Sequence, residues 1–282
     1  MTDPNNTIAF QGEPGAYSHL ACKEAYPDME PLPCSSFEEA FAVAENRQAR
    51  LAMIPIENSL GGRVADIHHL LPRSRAYIVA EHFQAVKHCL LAPRGARLDQ
   101  VKTISSHPQA LAQCRNLIQE LGVRAIARPD TAGAAREVAE AGDPTAAAIA
   151  SSLAGETYGL DVLRERIEDR LGNTTRFVVM SATRVEPDPR DGPCMTAIFF
   201  QVRSVPAALY KALGGFATNG VNITKLESYL SDENFKVAQF YAEFEGHPAE
   251  KPVDHALEEL QYFSTRLKVL GVFPASPVRA RD

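Results

Sequence analysis

Five consecutive residues, Asn173-Thr174-Thr175-Arg176-Phe177, place two hydroxyl groups and a guanidinium group at the start of a predicted strand. The apolar run that follows, Phe177 to Met180, favours an extended strand because it contains aromatic and β-branched residues. Arginine presents a rigid fork of donors that suits a carboxylate or a phosphate, and a threonine hydroxyl beside it can bind the same ligand. Taken alone, such a segment is more often a turn with a surface arginine than a ligand site. Motifs elsewhere in the chain are needed to distinguish the two interpretations.

Composition narrows the class of protein before any other motif is considered. The 282 residues are 45% hydrophobic and 23% charged with a net charge of −6, which predicts a globular protein and no nucleic-acid partner. The five cysteines form no C-x-x-C pair, so we expect free thiols, a reducing compartment and no zinc site. No apolar leader follows Met1 and no membrane-length apolar run occurs, so we expect a cytoplasmic protein without a membrane partner.

Strands alternate with helices through the first 180 or so residues, which predicts an α/β fold with a largely parallel sheet. A helix is expected from Arg63 to Leu71 and another from Ala110 to Leu121. Ser106 and Gln109 have the spacing of a capping box before the second helix, and His107 is either a ligand contact or a polar first-turn residue. Small polar residues mark the predicted strand-to-helix corners at Gly12–Ser18, Asn58–Gly62, Ser106–Gln109 and Asp130–Ala132.

These corners predict a crevice that binds a small carboxylate. In parallel sheets the carboxyl ends of the strands line the ligand site, and helix N-termini attract anions. Arg176 is the only basic residue in the crevice motifs, which argues against a polyphosphate. Gly12 and Gly15 form neither a dinucleotide fingerprint nor a P-loop. The sequence also lacks an H-E-x-x-H pattern, so no metal is expected, and it lacks the G-x-S-x-G nucleophile elbow.

A second pattern follows a polar segment with three prolines, Thr183 to Pro193. We expect a strand, a helix, two strands paired through a turn at 231–234, a helix and a final strand, which is the ferredoxin-like βαββαβ order. A module of this size at the end of an enzyme is more often regulatory or oligomeric than catalytic.

Taken together, the motifs resemble those of the prephenate dehydratase family, and the last module resembles an ACT domain. The resemblance extends from about Thr7 to Phe273. The matching stretches are Gly12-Glu13-Pro14-Gly15-Ala16-Tyr17-Ser18, Pro55-Ile56-Glu57-Asn58-Ser59, Ser106-His107-Pro108-Gln109-Ala110-Leu111 with Gln113-Cys114, and Asn173-Thr174-Thr175-Arg176-Phe177.

The resemblance implies a two-lobed catalytic domain like that of periplasmic binding proteins, at 1–182, with crossings between the lobes near residues 80 and 170. A linker at 183–194, an ACT domain at 195–275 and a tail at 276–282 would follow. The implied reaction converts prephenate to phenylpyruvate, water and carbon dioxide without a cofactor. Thr175 would assist the leaving hydroxyl and Arg176 would hold the side-chain carboxylate. The implied substrate-binding residues are Asn58, Ser59, Ser106, Gln109, Thr131 and Phe177, the last of them by packing under the site.

The resemblance further implies feedback by phenylalanine, bound at a dimer interface of the ACT domain, and a homodimer or homotetramer. Matching effector residues are Leu209, Asn222, Glu227 and Ser228. Two family positions differ, because Ala207 replaces a glycine and Tyr229 replaces an arginine. The added methyl group of Ala207 could crowd the effector.

Three alternatives remain open at this point. Arogenate dehydratases share the motifs and act on a substrate with an amine in place of the keto group. A solute-binding or ligand-sensing module could use the same lobed fold, although the sequence shows no export signal and no room for an N-terminal DNA-binding domain. The third alternative, an ACT-bearing sensor with a dead first domain, fits poorly with the intact Thr175-Arg176-Phe177 motif.

Overall fold

The structure, a computed structural model, describes residues 3–203, 205–230 and 238–280. The predicted turn at 231–234 and the predicted start of the next strand at 235–237 therefore lie outside the described residues. The chain divides into two compact units. The first comprises Met1–Val43, Gln48–Val64 and His82–Phe177, and the second comprises Ala44–Arg47, Ala65–Glu81 and Val178–Asp282.

The helices and strands have the following bounds in chain order: β1 (Thr7–Gln11), α1 (Tyr17–Ala25), β2 (Glu30–Cys34), α2 (Phe37–Glu45), β3 (Leu51–Asn58), β4 (Gly62–Arg63), α3 (Ile67–Leu70), β5 (Tyr77–Ala85), β6 (Cys89–Ala92), β7 (Thr103–Ser106), α4 (Pro108–Gln113), α5 (Arg115–Leu121), β8 (Arg124–Ala127), α6 (Thr131–Ala141), β9 (Ala146–Ala150), α7 (Ser152–Tyr158), β10 (Asp161–Glu165), β11 (Thr174–Ser181), β12 (Cys194–Val202), α8 (Ala208–Thr218), β13 (Ile223–Leu230), β14 (Ala238–Glu245), α9 (Lys251–Phe263) and β15 (Ser264–Pro274).

The first sheet has the order β2-β1-β3-β11-β5, and β1 pairs in parallel with both of its neighbours. The sequence did not predict β2, which contains Pro31 and Pro33. Proline cannot donate to a sheet ladder, but at an edge its nitrogen can face away from the neighbouring strand, and β2 is at the edge.

The helix predicted from Arg63 to Leu71 is wrong. Gly62 and Arg63 instead form β4, which pairs antiparallel with the end of β3, and only Ile67–Leu70 is helical. The reason is local, because Asn58 Oδ1 accepts hydrogen bonds from the backbone nitrogens of Leu60 and Gly61, at 3.0 and 2.7 Å. An asparagine that satisfies the following N–H groups in this way closes a turn.

The second sheet has the order β10-β6-β9-β7-β8. Pairs β7–β8 and β7–β9 are parallel, whereas β6–β9 and β6–β10 are antiparallel. The helix predicted from Ala110 to Leu121 is two helices, α4 and α5, with Cys114 between them in a non-helical conformation.

The predicted capping box of Ser106 and Gln109 is also wrong. His107 caps α4 instead, because its Nδ1 accepts a hydrogen bond of 3.2 Å from the backbone nitrogen of Gln109. Ser106 is fully buried and its hydroxyl donates to the carbonyl of Ile149, at 2.6 Å. Its hydrogen-bonding capacity is used across the sheet, between β7 and β9, rather than along the helix.

The third sheet has the order β13-β14-β12-β15, and all three pairings between its neighbouring strands are antiparallel. Helices α8 and α9 pack on it over a core that includes Phe200, Phe216, Phe240 and Phe244. This arrangement confirms the βαββαβ prediction. Three sheets, two in α/β context and one ferredoxin-like, confirm the predicted fold class; the predicted domain boundaries stay a prediction.

The segment predicted as a tail contains a short 3₁₀ turn at Pro277–Ala280. Its Arg279 binds Glu81 and Glu243, so this part of the segment is tied to the second unit. In the part of the chain that the structure describes, no helix is long and apolar enough to cross a membrane.

Candidate active site

A small cavity of about 120 Å³ in the first unit brings together residues from most of the predicted motifs. Four of the predicted site residues line it, namely Asn58, Gln109, Thr131 and Thr175. His107 lines it as well, so this residue both caps α4 and borders the site. The remaining lining residues are Tyr17, Val86, His88, Ala110, Gln113 and Asn173.

The side-chain amide of Asn58 is held by four hydrogen bonds. Its Oδ1 accepts from the backbone nitrogens of Leu60 and Gly61, and its Nδ2 donates to Asn173 Oδ1 at 2.7 Å and to Thr175 Oγ1 at 3.0 Å. Backbone N–H groups can only donate, so they fix which arm of the amide is oxygen. The amide therefore has one orientation, and both of its amino hydrogens are used.

This orientation determines what the hydroxyl of Thr175 can do. Because Asn58 Nδ2 donates to Oγ1, the Thr175 oxygen acts as an acceptor towards the protein and its own proton is left for another partner. Thr175 lines the cavity, so that proton is available to a bound molecule. The arrangement suits hydrogen-bond donation to an oxygen that gains negative charge during a reaction.

The same donor–acceptor order continues away from Thr175. Asn173 Nδ2 donates to Gln113 Oε1 at 3.0 Å, and His88 Nε2 lies 2.9 Å from the same oxygen. On the other side of the ring, His88 Nδ1 lies 2.8 Å from the Tyr17 hydroxyl. We call Asn58, Asn173, Gln113 and His88 the amide chain. Asn58 is the last residue of β3 and Gln113 the last residue of α4. His88 directly precedes β6, and Asn173 directly precedes β11.

The amide chain places a proton on His88 Nε2, and burial favours the neutral ring. Gln113 Oε1 is an acceptor, so His88 Nε2 must carry the proton and Nδ1 can then accept from Tyr17. Burial lowers the pKa of His88, while the hydrogen bond to Gln113 and the Glu168 carboxylate oppose this shift. Burial also raises the pKa of Tyr17, which therefore keeps its proton at neutral pH.

Arg176 is not brought into this cavity. Alternate residues of a strand face opposite sides, and Arg176 is 4% exposed with its Nη1 3.1 Å from Glu57 Oε1. Its guanidinium also lies over the ring of Phe83, 5.9 Å from the ring centroid. The predicted contact between Arg176 and a substrate carboxylate is therefore not supported by this placement, and the role stays a prediction.

Three predicted binding residues also lie outside the cavity lining. Ser106 is buried with its hydroxyl on Ile149, and its predicted substrate-binding role stays a prediction. The Ser59 hydroxyl accepts from the Thr174 nitrogen at 3.0 Å and donates to the Gly172 carbonyl at 3.3 Å, which fastens the start of β11. Phe177 is buried in β11, as expected for packing beneath the site.

A second cavity, of about 450 Å³, adjoins the first because Gln109 and Gln113 line both. Its other lining residues include two exposed arginines, Arg115 and Arg170. Asp169 also lines this second cavity, and its carboxylate accepts from the backbone nitrogens of Arg115 and Asn116, at 2.9 and 3.1 Å. Positive charge is thus available beside the uncharged amide chain.

The described cysteines offer no reactive thiolate. Burial raises the pKa of Cys34 and Cys89 to about 11 and that of Cys114 to about 12, and it also raises the pKa of Cys22 and Cys194. Over the described ranges, no group of three or more His, Cys, Asp or Glu side chains could hold a metal ion.

The predicted effector residues lie in the second unit, on and beside α8 and β13. Leu209 is in the first turn of α8, Asn222 directly precedes β13, and Glu227 and Ser228 lie within β13. Glu227 forms an ion pair with Lys225, with Nζ 3.4 Å from Oε1. Nothing in these placements tests an effector role, which stays a prediction.

Sequence reasoning missed the contribution of Tyr17, His88, Gln113 and Asn173. Tyr17, Gln113 and Asn173 belong to the motifs that carry the family resemblance, so their membership of these motifs could have identified them. His88 had no such signal, since a histidine in a predicted strand is usually a core residue. Its partners lie 25 and 71 residues away in the sequence.

Comparison with known proteins gives consistent relatives. The family model described as prephenate dehydratase matches residues 8–185. A bifunctional N-acyl-homoserine lactone acylase/prephenate dehydratase of Komagataeibacter europaeus is 49% identical over 274 residues, covering 97% of this chain and 98% of that protein. The chloroplastic arogenate dehydratase/prephenate dehydratase 1 of Arabidopsis thaliana is 39% identical over 291 residues, covering 98% of this chain and 74% of that protein.

A solved structure agrees with these relatives. The prephenate dehydratase of Arthrobacter aurescens in complex with L-Phe superposes with a TM-score of 0.87 at 29% identity, covering 95% of this chain and 90% of that one. The family model matches more than half of the sequence. The two relatives, at 49% and 39% identity, each cover almost the whole of this chain. The chain belongs to the prephenate dehydratase family.

Proposed function

We propose that the protein converts prephenate to phenylpyruvate, with loss of water and carbon dioxide. The observation that carries this proposal is the Thr175 hydroxyl, held by Asn58 so that its proton can be donated into the cavity. Membership of the family supports a lyase of aromatic amino acid biosynthesis.

The reaction requires little from the protein beyond proton donation and positioning. The ring C–O bond and the bond to the ring carboxylate both break, and the electron pair left on carbon completes the aromatic ring. The departing hydroxide takes a proton as it leaves. A neutral threonine is a weak acid, so Thr175 stabilises the leaving oxygen by hydrogen bonding and passes on a proton that water replaces. Aromatisation supplies the driving force, so no cofactor is proposed.

Gln109 and Thr131, which line the cavity with Thr175, are proposed to position the substrate through their amide and hydroxyl groups. The two carboxylates of prephenate need cations. Because Arg176 pairs with Glu57, we assign this role to Arg115 and Arg170, which line the adjoining cavity. Replacing each with glutamine should raise KM for prephenate more than it lowers kcat. An unchanged KM in both variants would contradict this assignment.

Turnover of prephenate by the wild type and by Thr175→Ala tests the function. The variant should lose about 10²-fold or more in kcat with little change in KM, because the hydrogen bond strengthens in the transition state. Thr157→Ala is the matched control, since Thr157 bonds only within α7, to the Leu153 carbonyl. Near-normal turnover in Thr175→Ala would remove this residue from the mechanism.

Arogenate is the second candidate substrate, favoured by the names of the plant relatives. It differs from prephenate in carrying an amine in place of the keto group, so the proposed chemistry at Thr175 is the same. Assaying both substrates in parallel separates them. Turnover of arogenate alone would keep the mechanism and change the substrate, whereas tight binding without turnover would indicate a sensor.

The acylase named for the bacterial relative needs a separate assay with an N-acyl-homoserine lactone. Acyl transfer in proteins commonly uses an activated nucleophile beside a base. The raised pKa values of the cysteines remove thiolates from the candidates at neutral pH. Hydrolysis of the N-acyl amide bond that survives in Thr175→Ala would show a second activity with its own site.

Phenylalanine is proposed as an allosteric effector bound near Leu209, Asn222, Glu227 and Ser228, in a homodimer or homotetramer. The relative from Arthrobacter aurescens was solved with L-Phe, which supports this proposal. Strand β13 lies at the edge of its sheet, a position from which strands of two copies can pair. Phenylalanine should raise the melting temperature and lower activity; the absence of both effects would overturn the proposal.

A further inference from the structure

We propose that His88, supported by Tyr17, is a positioning residue that keeps the Gln113 side-chain amide turned so that its amino group faces the cavity. The inference rests on the proposed dehydratase function. It assigns a role to two residues, one on α1 and one between β5 and β6, that act through Gln113 rather than on the substrate itself.

The first step is the orientation of the Gln113 amide. Its Oε1 accepts from Asn173 Nδ2 at 3.0 Å and from His88 Nε2 at 2.9 Å. Because Asn58 fixes the orientation of Asn173, the Asn173 amino group excludes the flipped Gln113 amide, which would bring N–H against N–H at that contact, and His88 Nε2 is then the second donor. The amino group is on the other arm, and Gln113 lines both cavities. Among the described residues, no protein acceptor of the Gln113 amino hydrogens is found.

The second step is why His88 is needed in addition to Asn173. With Asn173 alone, one hydrogen bond would leave the Gln113 amide able to swing about its terminal bond, since this torsion has broad minima. The second donor comes from a planar ring that is 98% buried. A rigid donor at a fixed distance therefore restricts the direction in which the amino group points into the cavity, which is what preorganised catalysis requires.

The third step is what keeps the proton of His88 on Nε2. The Tyr17 hydroxyl lies 2.8 Å from His88 Nδ1 and 2.9 Å from the Lys87 carbonyl, and the two rings meet edge to face. The hydroxyl has a single proton for these two acceptors, and the share of it that is given to Nδ1 favours the Nε2–H tautomer. The charged group facing this histidine is Glu168, whose Oε2 accepts from the His88 backbone nitrogen at 3.0 Å; the nearby Cys89 and Cys114 thiols are neutral.

Two substitutions of His88 separate positioning from packing. His88→Leu fills the space but donates nothing to Gln113, and we expect kcat/KM for prephenate to fall about tenfold or more. His88→Gln keeps an N–H donor near the position of Nε2, and we expect it to stay within about threefold of the wild type. The kcat/KM of Tyr17→Phe should lie between those of the two His88 variants. This change removes the hydrogen-bond partner of His88 Nδ1 but leaves the Nε2–H donor to Gln113 in place.

Melting temperatures of all variants show whether they fold, so a loss of activity can be compared between equally stable proteins. If His88→Leu matches the wild type in turnover, or if His88→Gln is as impaired as His88→Leu at equal stability, the positioning role is overturned.

Nitrogen NMR of the imidazole tests the same inference without substrate. We expect wild-type His88 to show a protonated Nε2 and an unprotonated Nδ1 at neutral pH, and Tyr17→Phe to weaken this preference. An Nδ1–H tautomer would overturn the inference even if the enzyme turns over prephenate. Conversely, the predicted tautomer in a protein that turns over neither prephenate nor arogenate would reject the proposed function and leave the geometry around Gln113 intact.

Discussion

Two partly buried polar clusters, one in each unit, are built from different chemistry. The amide chain in the first unit, Asn58, Asn173, Gln113 and His88, is uncharged by the argument above, and its members are linked by directed hydrogen bonds. The carboxylate cluster in the second unit, Glu81, Glu243 and Arg279, consists of charged groups. An amide has a donor arm and an acceptor arm, so a chain of amides fixes orientation. A charged group does not fix an orientation in this way, but removing the partner of a buried charge strongly lowers the stability of the fold.

In the carboxylate cluster the guanidinium of Arg279 contacts both carboxylates. Arg279 Nε lies 2.7 Å from Glu81 Oε1, and its Nη2 lies 2.9 Å from Glu81 Oε2 and 3.2 Å from Glu243 Oε2. Both carboxylate side chains are fully buried. The Tyr241 hydroxyl also donates to Glu243. Two buried carboxylates thus share the guanidinium of Arg279.

Removing that arginine should have the largest effect on stability in the molecule. Arg279→Leu leaves two buried carboxylates without their guanidinium, and we expect the free energy of unfolding to fall by about 3–5 kcal/mol. Urea denaturation monitored by circular dichroism measures this change. Arg190→Leu is the control, because Arg190 pairs with Asp188 at an exposed site and its loss should be undetectable. Equal stability of the two variants would show that the buried carboxylates do not depend on Arg279.

In the amide chain the expected loss is of turnover rather than stability. Asn58→Asp keeps the shape of the side chain but removes the two N–H donors to Asn173 and Thr175. We expect kcat for prephenate to fall about 10²-fold, because the Thr175 hydroxyl is no longer directed into the cavity.

Asn219→Asp is the matched change in the second unit, where the Asn219 Nδ2 donates to the Gly215 carbonyl at 2.8 Å. It should leave kcat unchanged. A loss of turnover in both variants, or in neither, would remove the distinction between an orienting cluster and a stabilising one.

The sequence predicted the parts of this comparison that depend on local patterns. Asn58 and Thr175 are in short motifs at strand ends, and the structure brings both to one cavity. The βαββαβ module was also predictable, since its elements are regular and their order is distinctive. These signals act within a few residues, which is the range over which backbone propensities and caps operate.

Features that depend on distant partners could not be predicted. Arg279 was expected in a tail, and only the fold brings it to Glu81, 198 residues away. The helix expected from Arg63 failed because the amide of Asn58 closes a turn before it. Similarly, Ser106 has capping-box spacing, but β9 offers the Ile149 carbonyl as a competing partner. For Arg279 and Ser106 a tertiary contact outcompeted a local preference, whereas at Asn58 one local hydrogen-bonding pattern outcompeted another.

Arg176 shares one feature with each cluster. It is a buried charge, like the groups of the carboxylate cluster, and it directly follows Thr175, which is bonded to the amide chain. Arg176→Lys keeps the charge but loses the planar fork that contacts Glu57 and Phe83. We expect a lower melting temperature and a KM for prephenate within about twofold of the wild type. A KM raised about tenfold at an unchanged melting temperature would instead restore the carboxylate-binding role predicted from the sequence.

The smallest expected effect concerns Ala207, which has a φ of 60° at the start of α8. A residue with a Cβ atom is strained in this left-handed region, whereas glycine is not. Ala207→Gly should therefore raise the free energy of unfolding, by less than about 1 kcal/mol because glycine also gains entropy in the unfolded chain. Ala208→Gly, one residue later and inside the helix, should lower it by about 1 kcal/mol.

Opposite signs at these neighbouring positions would establish the backbone strain, and equal signs would refute it. Phenylalanine then separates strain from ligand crowding. If the Ala207 methyl group crowds the effector, Ala207→Gly should also increase the rise in melting temperature that phenylalanine produces, whereas a purely conformational effect leaves that rise unchanged. The second unit would then resemble the first in one respect, because a single side chain would control how its ligand is positioned.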